Sequence, residues 1–183
     1  GRCIRSIRLD DAVTEIIVID GGSTDNSAEV ALKEGAEVII HKKPFTEGGG
    51  RGGQIKAGID SASGDVVAIV HADSIVNTHF FKKIMDVLNH NPDVIGGAVG
   101  CRFDSGEAGL RLMEFANNAR MAYLGIAFGD QLQFFRRKPV IENHVFPNIP
   151  LMEDVELSMR LKNLGHQVFL FGTAASRLVQ CFH

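Results

Sequence analysis

Residues 65–74 read DVVAIVHADS, and the reading of this stretch decides the fold. Val66 to Val70 form a short, largely β-branched apolar run, which predicts a strand buried on both faces. The run ends on His71, Ala72, Asp73 and Ser74, with no Gly or Pro between. A carboxylate at the end of a buried strand is costly unless it is solvated, paired or bound to a cation. The strand therefore points His71 and Asp73 at an edge where something polar is met.

A second run of the same kind lies upstream. EIIVID, 15–20, predicts a strand ending on Asp20. GGSTDNS follows, with turn glycines and then Ser, Thr, Asp and Asn as helix caps. AEVALKEG, 28–35, has helical spacing with a glycine stop, and AEVII, 36–40, predicts the next strand. HKKPFTEGGGRGG, 41–53, reads as a glycine-rich loop carrying Arg51, and QIKAGIDSASG, 54–64, as a helix. NTHFFKKIMDVLNH, 77–90, is the helix after the 65–70 strand. Strands and helices alternating at this spacing imply βαβ units. The expected fold is α/β: a Rossmann-like, mostly parallel sheet with helices on both faces. In such sheets ligands sit at the carboxyl ends of the strands. Asp20, His71 and Asp73 all fall there.

The second half changes character. VIGGAVGCRF, 94–103, predicts a strand with glycine kinks, and EAGLRLMEFANNARMAYLG, 107–125, a long amphipathic helix. DQLQFFRR, 130–137, predicts a strand, PNIPLM, 147–152, a rigid loop, and HQVFLF, 166–171, a last strand. EDVELSMRLKNLG, 153–165, predicts a helix with acidic residues in its first turn and a glycine stop. With no internal repeat and no low-complexity linker, one domain over 1–183 is the simplest organisation.

Composition excludes some functions. The chain has 183 residues, 45% apolar and 22% charged, which suits a globular core. A formal net charge of −3 gives no basic field to attract nucleic acid. Arg136-Arg137-Lys138 reads as a solvated edge. Cysteines at 3, 101 and 181 are odd in number and widely spaced. They suit reduced thiols in a cytoplasmic protein better than a disulfide framework or a zinc site. No apolar run approaches the ~18 residues of a membrane span.

Each candidate site also has a plain reading. Asp20 with Gly22 and Ser23 makes an ordinary strand-to-helix turn, or an acid that receives a ribose or a base. Arg51 in GGGRGGQ, 48–54, sits on a flexible loop, or on a mobile cover whose guanidinium pairs with phosphate. His71 is a hydrogen-bonded core histidine or a ligand of the site. Asp73 has the oxygen chemistry of a Mg²⁺ or Mn²⁺ donor, with a diphosphate completing the shell. Glu153 and Asp154 satisfy a helix dipole, or supply a general base.

IIVIDGGSTD, GRGGQIKAG, SGDVVAIVHADS, GDQLQFFRR and PLMEDVELSMRLKNLGH, in this order, resemble the family 2 glycosyltransferases over about residues 15 to 171. The HAD and GDQ variants are similar to a bacterial subgroup labelled arsenosugar-biosynthesis glycosyltransferases. The resemblance implies the glycosyltransferase A fold, with a nucleotide-sugar half near 1–103 and an acceptor half near 104–183. It implies a nucleotide-sugar donor, UDP-linked, and a small-molecule or lipid-linked acceptor. HAD fills the place of the family's D-x-D, with His71 at the first Asp and Asp73 at the second. Asp73 would then hold a divalent cation, Mg or Mn, and His71 stands where the ribose or metal is met. Asp20 matches the acid that binds base or ribose, and Gly21 replaces the second acid common there. Arg51 matches a basic residue on base or phosphate. Asp154 matches the catalytic base, with Glu153 beside it.

Two departures matter. The family's first strand has no counterpart, and CIRSIRL, 3–9, reads as the helix that follows it, so the sequence is expected to begin inside the domain. There is no Trp, so the Q-x-x-R-W signature of processive synthases is absent and single transfer is expected. Two alternatives stand beside the transferase: a metal-dependent nucleotidyltransferase, and a nucleotide-sugar-binding protein that has lost catalysis, which His71 and Gly21 would favour.

Overall fold

A computed structural model describes residues 1–104, 106–147, 149 and 151–171, and the backbone of 179–181. The first half runs α1 (Arg2–Arg8), β1 (Ile17–Asp20), α2 (Ser27–Lys33), β2 (Glu37–Ile40), α3 (Gly50–Ser61) and β3 (Val66–Ile69). It continues through β4 (Ser74–Val76), α4 (Phe80–His90), β5 (Val94–Val99) and β6 (Arg102–Phe103). The remainder is α5 (Ala108–Leu124), β7 (Gln133–Arg136), α6 (Arg137–Glu142), α7 (Glu153–Leu164), β8 (His166–Leu170) and β9 (Val179–Cys181). The α/β alternation expected from the sequence is present. Asn148 and Pro150, in the loop expected at 147–152, lie outside the described residues.

The strands form three sets, in the orders β1-β2, β3-β7-β5-β8 and β4-β9-β6. β1 and β2 are parallel, as are β5 and β8, but β7 runs antiparallel to both β3 and β5. The sheet is therefore mixed rather than mostly parallel. Consecutive residues of a strand face opposite sides of the sheet. Phe134 and Phe135 of β7 are both fully buried, and they join two different cores. Phe134 packs with Phe80, Ile84 and Leu88 of α4, and Phe135 with Leu157 and Leu161 of α7. Helices thus cover both faces of β7. Truncating either ring to Ala costs about 3–5 kcal/mol.

Three local readings are corrected by tertiary contact. The glycine-rich segment is not wholly a loop, because α3 starts at Gly50 and includes Arg51, Gly52 and Gly53. A β-carbon would lie 2.0 Å from the Ile149 carbonyl oxygen at Gly52, and 1.8 Å from that of Gly48 at Gly53. These glycines let other backbone lie against the helix. The 94–103 strand breaks at Gly100, and its second part pairs with β9. The Arg136 guanidinium is not a solvated edge: it donates to the carbonyls of Val94 at 2.8 Å and Leu88 at 2.7 Å.

Asp10 is a buried carboxylate with a structural task. It accepts from the Phe81 and Lys82 amides at 2.7 and 3.2 Å, closing the start of α4. Cys3 and Cys101 are buried thiols, donating to the His71 carbonyl and to Asp130 Oδ2. Among the described residues no helix is long and apolar enough to cross a membrane.

Between β1 and β3 runs an apolar groove of about 780 Å³. Ile16 to Ile19 form one side and Val66 to Val70 the other, with Ile4 and Ile7 of α1 also lining it. β1 and β3 are each the last strand of their sheet on this side. Arg51 and His71 also line it.

Candidate active site

The residues picked from the sequence fall into two groups. The first is the turn after β1. Asp20, at the strand end, accepts from the Ser23 hydroxyl at 2.5 Å and from the Ser23 amide at 3.1 and 3.2 Å. These bonds to Ser23 hold the Asp20 carboxyl below its ordinary range, against a smaller opposing effect of burial. Gly22 has φ of +95°, a left-handed turn that a side chain resists. A β-carbon on Gly21 would meet Gln54 Nε2 at 2.3 Å, so this turn lies against α3, one helical turn beyond Arg51. Asp20, Gly22 and Ser23 therefore make a strand-to-helix turn, but they do not cap α2, whose N-cap residue Asn26 makes no side-chain capping bond. Binding of a ribose would use the remaining lone pairs of the same carboxylate.

The second group gathers residues from distant parts of the chain. Arg51, in the first turn of α3, reaches across to the first turn of α7. Its Nε donates to Glu153 Oε1, and its Nη2 donates to Asp154 Oδ2 at 2.9 Å. Burial pushes the Arg51 guanidinium down, but the hydrogen bond and charge of Glu153, joined by Asp154, outweigh it and hold the group above its ordinary range. Glu153 is 1% exposed, and its Oε2 is buried with no hydrogen-bond partner among the described residues. Asp154 is 8% exposed, and its Oδ1 accepts from the Val155 amide at 2.8 Å. Acidic groups in the first turn of a helix also sit favourably at the positive end of its dipole.

Gly129 joins this group to the end of β3. A β-carbon there would lie 2.8 Å from Arg51 Nη1 and 2.9 Å from His71 Nε2. The imidazole, the guanidinium and the turn at 129 thus meet at one point. His71 is half-buried and Asp73 exposed, on a turn closed by the Ser74 amide bonding to the His71 carbonyl at 3.0 Å. Among the described residues no three His, Cys, Asp or Glu side chains gather to hold a metal ion.

The surrounding shell was largely missed from the sequence. Gln133 of β7 donates to the Asp154 carbonyl and to Ser158 Oγ, both at 2.9 Å. Ser158 in turn accepts from the Ala127 amide at 3.0 Å. These bonds fix the first turn of α7 against the strand and the 127–131 turn. Gln131 is fully buried and accepts from Arg120 Nη2 at 2.9 Å. The Arg120 guanidinium lies 3.2 Å over the Phe128 ring. The available signal was a pair of amides inside an apolar strand, DQLQFF, since buried polar groups need partners.

Comparison with known proteins gives this geometry a context. A family model described as glycosyl transferase family 2 matches residues 1–145. The amylovoran biosynthesis glycosyltransferase AmsE of Erwinia amylovora is 26% identical over 173 residues, covering 91% of this chain and 65% of that protein. The mannosyltransferase PcManGT of Pyrobaculum calidifontis, solved with GDP-Man and Mn²⁺, superposes with a TM-score of 0.70 at 19% identity, over 98% of this chain and 51% of its own. Glucosyl-3-phosphoglycerate synthase of Mycobacterium tuberculosis, solved with Mn²⁺, UDP-glucose and phosphoglyceric acid, superposes with a TM-score of 0.61 at 20% identity, over 93% and 65% of the two chains. At these identities the structures establish a shared fold. The chain spans 26% to 65% of the length of the first curated relatives it matches.

Proposed function

Because the chain belongs to glycosyl transferase family 2, we propose that it moves a sugar from a nucleotide-sugar donor, UDP-linked, to an acceptor hydroxyl, with inversion at the anomeric carbon. The observation that carries this reading is the meeting at Gly129. His71 from the end of β3 and Arg51 from α3 converge there, and Arg51 reaches Asp154 of α7. A strand end that faces a donor and a helix start that bears a base are thereby brought to one cleft. The same convergence favours a transferase over the nucleotidyltransferase and lapsed-enzyme alternatives.

Asp154 acts as the general base. Both its oxygens already accept one hydrogen bond, and each keeps a lone pair for the acceptor hydroxyl. The proton passes to Asp154 as the acceptor oxygen bonds to the anomeric carbon. The bond from that carbon to the phosphate oxygen breaks, and the nucleoside diphosphate leaves with the electron pair. One displacement inverts the configuration. Asp20 with Gly22 and Ser23 offers the ribose side, and His71 the space between the ribose and the diphosphate.

A divalent cation fits this set only in part. Asp73 is a hard, exposed oxygen donor, as Mg²⁺ and Mn²⁺ prefer, and the rest of the shell would come from the donor diphosphate and water. When bound, such an ion offsets charge on the leaving diphosphate. The acceptor is a small-molecule or lipid-linked hydroxyl.

The test is release of nucleoside diphosphate from a panel of UDP- and GDP-sugars with a pooled glycan and lipid acceptor extract. The wild-type chain should turn over at least one UDP-sugar in the presence of Mn²⁺. Asp154→Asn should lower that rate by about 100-fold or more, the scale of a lost general base. An Asn variant as fast as wild type would remove Asp154 from the reaction. Turnover confined to GDP-sugars would replace the uridine donor with a guanosine one.

A further inference from the structure

Arg51 was expected on the base or phosphates of the donor, but its guanidinium is committed to two carboxylates. We propose that Arg51 and Glu153 are positioning residues: Glu153 anchors Arg51, Arg51 holds Asp154 in place, and neither touches the donor. The inference rests on the reading of Asp154 as the base and deepens it.

Three observations support it. Nε and Nη2, two of the three guanidinium nitrogens, are spent on Glu153 and Asp154. The third, Nη1, lies against the turn at Gly129, 2.8 Å from where a β-carbon on that residue would sit. Glu153 is too deeply buried to meet a substrate. A fully buried carboxylate is retained only with a charge partner, and the Arg51 side chain, 44% exposed, supplies it from the cleft side. The pair Glu153-Asp154 thereby divides its work. One carboxylate holds the arginine from below, and the other stays at the cleft with a fixed orientation.

The arrangement also accounts for the glycines around Arg51. Gly52 lets the Ile149 carbonyl approach, which brings the chain leading into α7 against the start of α3. That approach places residue 51 within reach of residues 153 and 154. A longer side chain at position 52 would separate the two helix starts.

The test compares wild type, Arg51→Met and Glu153→Gln with two probes, UDP and inorganic pyrophosphate, each with Mn²⁺, by calorimetry and by NMR of the Arg51 Nε–H group. The expected result is that both probes leave the Arg51 resonance in place, and that Arg51→Met changes their affinity by less than about threefold. A lost charge-assisted bond to phosphate would instead weaken binding roughly 10- to 100-fold. For any donor that is turned over, kcat should fall in Arg51→Met with donor KM held, and guanidinium ion should partly restore kcat in Arg51→Ala. A merely structural arginine would show no such split or rescue.

A probe-induced shift of the Arg51 resonance, or a 10-fold loss of probe affinity in Arg51→Met, would overturn the proposal. So would a Glu153→Gln variant whose Arg51 resonance is unchanged. If wild type binds neither probe, the donor reading fails by itself, and the Glu153→Gln resonance still decides the clamp. Should Glu153→Gln fail to fold, Asp154→Asn provides the same comparison through Nη2.

Discussion

The Arg51 guanidinium bridges Glu153 and Asp154, with Nη2 2.9 Å from Asp154 Oδ2, and so ties the first turn of α3 to the first turn of α7. Two segments about a hundred residues apart in sequence meet at this side chain, and the same two helices share an apolar cluster in which Ile55 and Ile59 stand with Leu157 and Leu161.

Removing Arg51 should therefore cost stability as well as activity. Arg51→Met leaves Glu153 buried without its cation. A broken buried pair costs about 3–5 kcal/mol, and partial solvent exposure of Arg51 lowers the expected loss to about 1–3 kcal/mol. Adding Glu153→Gln to Arg51→Met should recover part of it, because the stranded charge is gone. Urea denaturation of the two single variants and the double variant measures this coupling.

Gly129→Ala should act on the site more than on the fold. The new methyl would press on Arg51 Nη1 and on the His71 ring, both at less than 3.0 Å. Both groups are side-chain ends that can move aside, so the expected destabilisation is modest, about 1 kcal/mol. The His71 ring resonances should shift, and donor turnover should fall. Ring shifts identical to wild type would contradict the convergence at Gly129.

The turn after β1 should respond to pH through Asp20. Its folded carboxyl lies below the ordinary range because of the bonds from Ser23. The stabilisation is therefore complete above the unfolded carboxyl range, and is lost as pH falls through the lowered folded value. Ser23→Ala removes the hydroxyl bond and should reduce the difference in urea midpoint between neutral and acidic buffer. An unchanged acid dependence would place the effect elsewhere.

The groove between β1 and β3 should bind an apolar probe. Its walls are Ile, Val and Ala side chains of the two strands, and it holds about 780 Å³. Anilinonaphthalene sulfonate fluorescence should rise with the folded protein, and Val67→Asp should reduce the rise. A folded protein with no dye response would show the groove to be closed in solution.

Much of this arrangement was legible in the sequence where local and tertiary preferences agree. The apolar runs before Asp20 and His71 became β1 and β3, and the acidic first turn after 152 became α7. The start of α3 was not legible, because its three glycines, Gly50, Gly52 and Gly53, have poor intrinsic helix preference. What fixes them is the approach of the Ile149 and Gly48 carbonyls, which no local pattern encodes. Strand β7 was found, but its antiparallel direction was not, since an apolar run carries no sign of its partner's orientation. The candidate site was half legible. His71 and Asp154 were picked out at a strand end and a helix start, and Arg51 on a glycine-rich loop. The pairing of Arg51 with Glu153 depends on reach in space. The supports from Gln133, Ser158 and Gly129 needed the packed structure to be seen.

Calorimetric titration of UDP into the wild-type chain, with and without Mn²⁺, measures the proposed donor site itself. UDP should bind, more tightly with Mn²⁺ and more weakly in Asp73→Ala. Absence of binding by any uridine or guanosine diphosphate to the folded protein, with or without the ion, would contradict it.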